Sequence, residues 1–274
     1  PGDGLIFFNF REDGSRQLAE ALGRQEFPYF SRRLPENIFV TTMTQYFEDP
    51  NIAVAFPPEK ITEPLGKVLS DAGKRQLRLA ESERTAHVTF FFNGLNPQPF
   101  PGEYWIIVPT PTEFNLERSP ELASQEIINR LLQAMDEKIY DFILVNFANP
   151  DLIGHTGNLE AGAKVVAIMD KIVNHLSEVT LKLKIPLLIT SDHGNLESML
   201  DPLSGRHGRT HEPSPVPFYL VDHRFLRERS QREIDSGEKE IRGGLIDVAP
   251  TILELLDLPK PESMTGQSLI PYCK

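Results

Sequence analysis

Residues 142–158 read FILVNFANPDLIGHTGN, and the fold turns on what this stretch becomes. Phe142–Phe147 is an apolar run broken only by Asn146, and it is short enough for a buried strand. Pro150, Gly154 and Gly157 then punctuate a loop. From Leu159 to Leu183 apolar residues recur at helical spacing. The same alternation extends in both directions. Upstream, helical patterns at Arg16–Leu22, Glu63–Ala72 and Glu121–Met135 are interleaved with strand-like runs at Ile38–Thr42, Gln76–Ala80, His87–Phe92 and Trp105–Val108. Downstream, Pro186–Thr190 and Val216–Val221 read as strands and Val248–Leu256 as a last helix. The pattern predicts an α/β fold, a mostly parallel sheet flanked by helices.

Leu5–Phe10 is another apolar run and reads as a buried central strand. Such a strand so close to Pro1 leads us to expect further sequence upstream. The proline-rich stretch Val54–Glu59 reads as a domain junction, dividing the chain into residues 1–57 and 58–274. The charged run Glu228–Glu240 reads as a solvated loop. A chain of 274 residues can bury a core without covalent staples. Its net charge of −11 argues against sequence-independent nucleic-acid binding, which relies on basic surface. An anionic substrate is still compatible, because local charge can oppose the global sign. No run reaches membrane-spanning length, and no signal peptide is seen. Cys273 is the only cysteine, so an intracellular, cytoplasmic setting is expected.

Three loops collect residues of metal-ligand type. The first holds Asp151 and His155, the second reads Ser191-Asp192-His193-Gly194-Asn195, and the third holds His211 before the strand-like VPFYLV. In open α/β sheets, ligands bind beyond the carboxyl ends of strands. The first two loops follow strands directly, whereas the third has to fold back over that edge. Carboxylate and neutral imidazole form a hard-to-borderline donor set that suits Mn, Zn or Mg. Asp151, His155 and His211 are candidates for one ion, and Asp192 with His193 for part of a second. Two ions about 3.5–4 Å apart could clamp attacking and leaving oxygens in phosphoryl transfer. The competing reading is that Asp151 and Asp192 cap helices and the histidines are ordinary loop residues. Taken singly, each residue favours that reading; together they favour a metal site. His87, His175, His207 and His223 lack such company and read as structural. Arg11 and Arg84, beside buried runs, are candidates for phosphate or carboxylate recognition; the ordinary alternative is a surface ion pair.

The segments IFFNFR, HVTFFFNG, FPGE, NFANPDLIGHTGN, SDHGN, PVPF and DVAPTILELL resemble the cofactor-independent phosphoglycerate mutases, of the alkaline phosphatase superfamily, in that family's order. The resemblance implies a metal-binding phosphatase domain (58–274) and the tail of an inserted phosphotransferase domain (1–57). It implies two divalent ions, usually manganese. Asp151, His155 and His211 would hold one ion, Asp192 and His193 would hold part of the other, and Arg11 would bind the phosphoglycerate. The implied reaction interconverts 3- and 2-phosphoglycerate through a phosphoserine, in a monomer without nucleic-acid or membrane partners. The family's nucleophilic serine and a further metal-binding aspartate have no match in these residues. The expectation is that a missing N-terminal segment or a separate chain supplies them, and that the 274 residues alone are inactive. Two further departures are Gly14, where the family carries an arginine, and Arg84, where it carries a catalytic lysine. They leave open a metal-binding relic or partner subunit, and a related metal phosphatase or phosphopentomutase.

Overall fold

The computed structural model describes residues 2–11, 14–34, 37–59, 61–111, 116–200, 205 and 208–273. The chain forms two compact units, Pro1–Ile61 and Thr62–Lys274. In the first, strands β1 (Gly4–Phe7), β2 (Phe39–Thr42) and β3 (Ile52–Val54) form a parallel sheet in the order β1-β2-β3. Helix α1 (Arg16–Gly23) buries Ala19 and Ala21, and the sheet buries Val40 and Ile52. The expectation of a buried central strand at Leu5–Phe10 is corrected here. The strand ends at Phe7 and, among the described residues, pairs on one side only, with Ile6 64% and Phe8 82% exposed.

The second unit runs α2 (Leu65–Asp71), β4 (Gln76–Glu81), β5 (Glu103–Val108), α3 (Ser124–Glu137), β6 (Phe142–Val145), α4 (Asn149–Gly154) and α5 (Leu159–Leu183). It continues through β7 (Leu187–Thr190), β8 (Phe218–Val221), α6 (Gln231–Lys239), α7 (Val248–Leu255) and α8 (Ile270–Cys273). Strands β5, β4 and β6 form a parallel sheet with β4 in the middle, and β7 pairs antiparallel with β8. Every residue of β4 is buried, as expected of a strand covered on both faces. Because neighbouring residues in a strand face opposite ways, Leu79 enters the cluster built by Ile127, Leu131, Ile172 and Leu176 of α3 and α5. Arg78 turns to the other face, over the rings of Phe92 and Phe142. Those two rings pack with Leu65, Leu69 and Leu253 of α2 and α7. Removing such an aliphatic side chain from water contributes about 1.5–3 kcal/mol, so α3 and α5 are fixed by packing against the sheet.

Helix α5 spans the residues expected of it. The Asn158 side chain accepts a hydrogen bond from the Ala161 amide at 3.1 Å, and Lys184 ends the helix in a left-handed conformation at φ 58°. Further expectations fail. The stretch read as a loop at Pro150–Gly157 opens with the helix α4. His87–Phe92 is not a strand: His87–Phe91 is a wide helical turn. Its buried residues are the neighbours Val88 and Thr89, and Asn93 is buried four residues beyond Thr89, which is not the alternation of a strand. The charged run is a helix, α6, held at its start by Ser230 and Glu233, which bond each other's backbone amides as a capping box. Among the described residues no helix is long and apolar enough to cross a membrane.

Candidate metal centre

Asp151 lies in the first turn of α4, just beyond β6, and His155 ends that helix. Their spacing of four places both side chains on one helical face. His211 reaches them from the third loop because β8 is antiparallel to β7. Thr190 at the end of β7 pairs with Phe218 at the start of β8. The segment leading into β8 therefore already sits at the carboxyl end of β7 and needs no fold-back. Gly194 and Glu212 extend this pairing with reciprocal backbone hydrogen bonds of 3.0 and 2.9 Å. That bridge sets the loop of His193 beside the loop of His211.

Asp151 Oδ1 lies 3.3 Å from His155 Nε2 and 3.2 Å from His211 Nε2, and the two Nε2 atoms are 3.1 Å apart. Among the described residues, this is the one group of three or more His, Cys, Asp or Glu whose ligand atoms converge, all within 4.8 Å. Asp192 and His193 are close to each other at 3.5 Å, but Asp192 is 69% exposed. His193 joins the cluster by ring stacking on His211, with centroids 3.6 Å apart. Among the described residues, no third carboxylate, imidazole or thiol makes these two a group.

The electrostatics suit a cation. Burial alone pushes the Asp151 carboxyl upward. The hydrogen bond from Asn195 and the charges of Arg84, His155 and His211 outweigh burial and hold it below the ordinary aspartate range. Burial, then the neighbouring His193, pushes His211 down, against the pull of Asp151. A carboxylate kept ionised beside an imidazole kept neutral is the protonation state a metal requires. His155 Nδ1 stands 2.8 Å from the Arg209 carbonyl oxygen and can only donate to it. That fixes the tautomer that leaves Nε2 free as a ligand. The residues present therefore fit a divalent ion.

Arg84 donates to Asp151 Oδ2, and its other terminal nitrogen stands 3.5 Å from His87 Nε2. Arg84, a candidate from the sequence, thus lies against Asp151, with His87 and Asn195, which the sequence did not single out as site residues, as neighbours. Asn195 donates to Asp151 Oδ1 at 2.6 Å and to its backbone carbonyl at 3.3 Å. No sequence signal singled it out beyond its place in SDHGN. Asp151 does not cap α4, whose N-cap position is Ala148. Arg11 lies in the first unit, in the exposed stretch after β1, with its amide bonded to Asn9 Oδ1 at 3.1 Å. His207 lies outside the described residues.

A model of the metalloenzyme superfamily matches residues 23–260. The chain is 42% identical over 273 residues to a 2,3-bisphosphoglycerate-independent phosphoglycerate mutase of Prochlorococcus marinus, covering 98% of this chain and 49% of that protein. It is 42% identical over 269 residues to the protein of the same name from Clostridium botulinum, covering 98% of this chain and 50% of that one. A crystal structure of Leishmania mexicana phosphoglycerate mutase at low cobalt concentration superposes with a TM-score of 0.76 at 25% identity. The match covers 97% of this chain and 50% of that one. The chain spans about half the length of the curated relatives it matches.

Proposed function

The chain belongs to the metalloenzyme superfamily, and from that premise we propose that it is the metal-binding, C-terminal part of a 2,3-bisphosphoglycerate-independent phosphoglycerate mutase. Its reaction is the interconversion of 3- and 2-phosphoglycerate in the cytoplasm. The observation that carries this reading is the convergence of Asp151, His155 and His211 at strand ends in a chain so similar to those mutases. Asp151 Oδ1 and the two Nε2 atoms would hold one divalent ion, manganese being our choice and magnesium or zinc the alternatives. When bound, such an ion supplies charge stabilisation to phosphoryl oxygens and lowers the pKa of a bound hydroxyl. Asp192 and His193 begin a second site.

The remaining steps belong to the protein. Arg84 sits against Asp151 and presents a permanent positive charge to a phosphoryl group. It cannot protonate a leaving oxygen near neutral pH, so its part is electrostatic where a lysine could also transfer a proton. Arg11 binds the glycerate or its phosphate. Residues 1–57 are the remnant of the inserted phosphotransferase domain, and 58–274 are the phosphatase-like domain. Calorimetric titration with Mn²⁺ tests the site. The chain should bind manganese, and His211→Ala should weaken binding at least about tenfold, the low end for disturbing a metal shell. Equal affinities would overturn the assignment.

A second reading, a metal-binding partner without catalysis, is favoured by Arg84 and by Gly14. Turnover of 3-phosphoglycerate by this chain mixed with the N-terminal half of a relative, read through enolase, separates the two. Activity supports the mutase, and metal binding without turnover supports the partner.

A further inference from the structure

We infer that Asn195 is the positioning residue of this centre: it holds Asp151 so that Oδ1 faces the two imidazoles, and Gly154 is there to admit it. The inference rests on the metal-site reading. Asp151 stands on a short helix of six residues, and its carboxylate needs contacts from outside that helix to fix its orientation. Asn195 is 7% exposed, in the loop after β7, and its side-chain amide makes both contacts to Asp151 from one nitrogen. The carbonyl and the carboxylate are both acceptors, so only the NH₂ end can face them. The loop of Asn195 is fixed in turn. Its backbone amide donates to Glu197 Oε2 at 2.9 Å, and its carbonyl accepts from the Ser198 hydroxyl at 3.0 Å. Because the neighbouring Gly194 bridges to Glu212, one loop ties Asp151 to the segment carrying His211.

Gly154 shows how close this approach is. A Cβ at that position would lie 2.1 Å from Asn195 Oδ1 and 2.4 Å from its Cγ. The backbone there is helical, so the glycine is needed for room and not for conformation. An alanine would push the amide away from Asp151. Among the described residues, the side chain of Asn195 hydrogen-bonds to Asp151 and to no other proposed ligand, so its effect on a metal passes through that carboxylate.

The test uses Co²⁺ titrations of the 274-residue chain, followed by the visible absorption of the bound ion, with apo thermal melts alongside. Asn195→Ala should weaken Co²⁺ binding by about 10–100-fold, as loss of outer-shell partners does, and should change the band shape. Gly154→Ala should do the same. In the Asn195→Ala background, Gly154→Ala should cost no more than about twofold further, because both changes break one contact. Co²⁺ affinity and spectrum unchanged in Asn195→Ala would overturn the inference, whatever the melts show. So would fully additive losses. His211→Ala is the control for the underlying reading. If it leaves Co²⁺ binding intact, the site itself is wrong. If it abolishes binding while Asn195→Ala does not, only the positioning role is lost. Should Asn195→Ala not fold, the side-chain amide signals of Asn195 in the wild-type chain decide: they should shift on adding Zn²⁺, and no shift overturns the role.

Discussion

Two arginine–carboxylate pairs lie along one strand and do opposite things. Arg78, in the middle of β4, faces Glu103 of β5 at 3.7 Å, and both side chains are 0% exposed. Arg84, just past the end of β4, meets Asp151 where the side chains are 14% and 19% exposed. Around the first pair the space is closed. Arg78 donates to Gln76 Oε1 at 2.6 Å and lies over Phe92 and Phe142. Glu103 accepts from Asn93, Trp105 and the Phe100 amide. Around the second pair, two imidazole nitrogens point at the same carboxylate. A pair sealed from solvent under two aromatic rings, with Arg78 Nη2 shared between Gln76 and Glu103, is architecture. A pair at a strand end, open to solvent and ringed by lone pairs, has capacity left for a ligand.

The largest expected effect tests the sealed pair. Glu103→Gln leaves Arg78 charged in a dry site. Burial already pulls the Arg78 guanidinium down to about 10, with Glu103 opposing that pull. Breaking a buried pair by removing one partner costs about 3–5 kcal/mol, and urea unfolding should show a loss of that order. A loss under about 1 kcal/mol would make the first pair no more structural than an exposed one. Asp151→Asn is the counterpart. Apo stability should change by about 1 kcal/mol or less, since the pair is partly exposed. Manganese affinity should fall by at least about 10–100-fold, the range for disturbing a metal shell. An affinity unchanged in calorimetry would erase the contrast.

The sequence was legible where a residue's role is set by its own neighbours. The strand and helix around FILVNF and Leu159–Leu183, and the i,i+4 pair Asp151 and His155, need only local spacing. The approach of His211 was less legible, because the direction of β8 is decided by which strand it pairs with. HVTFFF misled because its β-branched and aromatic composition favours strands, whereas the burial of Val88, Thr89 and Asn93 does not alternate as a strand's would. Glu228–Glu240 misled for the opposite reason. Its charge hid a Ser-x-x-Glu start that composition alone does not weigh. The Arg78–Glu103 pair was invisible, since strand pairing brings its members together across 25 residues.

A smaller effect sharpens the sealed side. Trp105 donates from Nε1 to Glu103 Oε1 at 2.5 Å. Trp105→Phe keeps an aromatic ring and removes that donor, and Glu103 still has Asn93 and the Phe100 amide. The expected cost is about 1 kcal/mol, the net worth of one hydrogen bond, read as a shift in the urea midpoint. A cost as large as that of Glu103→Gln would mean that Trp105, rather than Arg78, satisfies the glutamate.

The smallest effect concerns the open pair. Asp151 ionises below its ordinary range, with burial opposing the shift and Asn195, Arg84 and the imidazoles producing it. A depressed carboxyl contributes stability above its unfolded pKa and loses it as pH falls through the folded value. Arg84→Met removes one cause, so the folded pKa should rise toward the unfolded one. The wild-type chain should therefore be the more stable at neutral pH, by no more than about 1 kcal/mol for a partly exposed pair. That advantage should vanish in acid, once Asp151 is protonated in both proteins. Urea unfolding of the metal-free proteins across acidic to neutral pH, with the Asp151 carboxyl carbon followed by NMR, measures both. An advantage that persists in acid would assign Arg84 to packing through its aliphatic stem. The arginine in β4 and the one just past its end would then differ only in burial and not in kind.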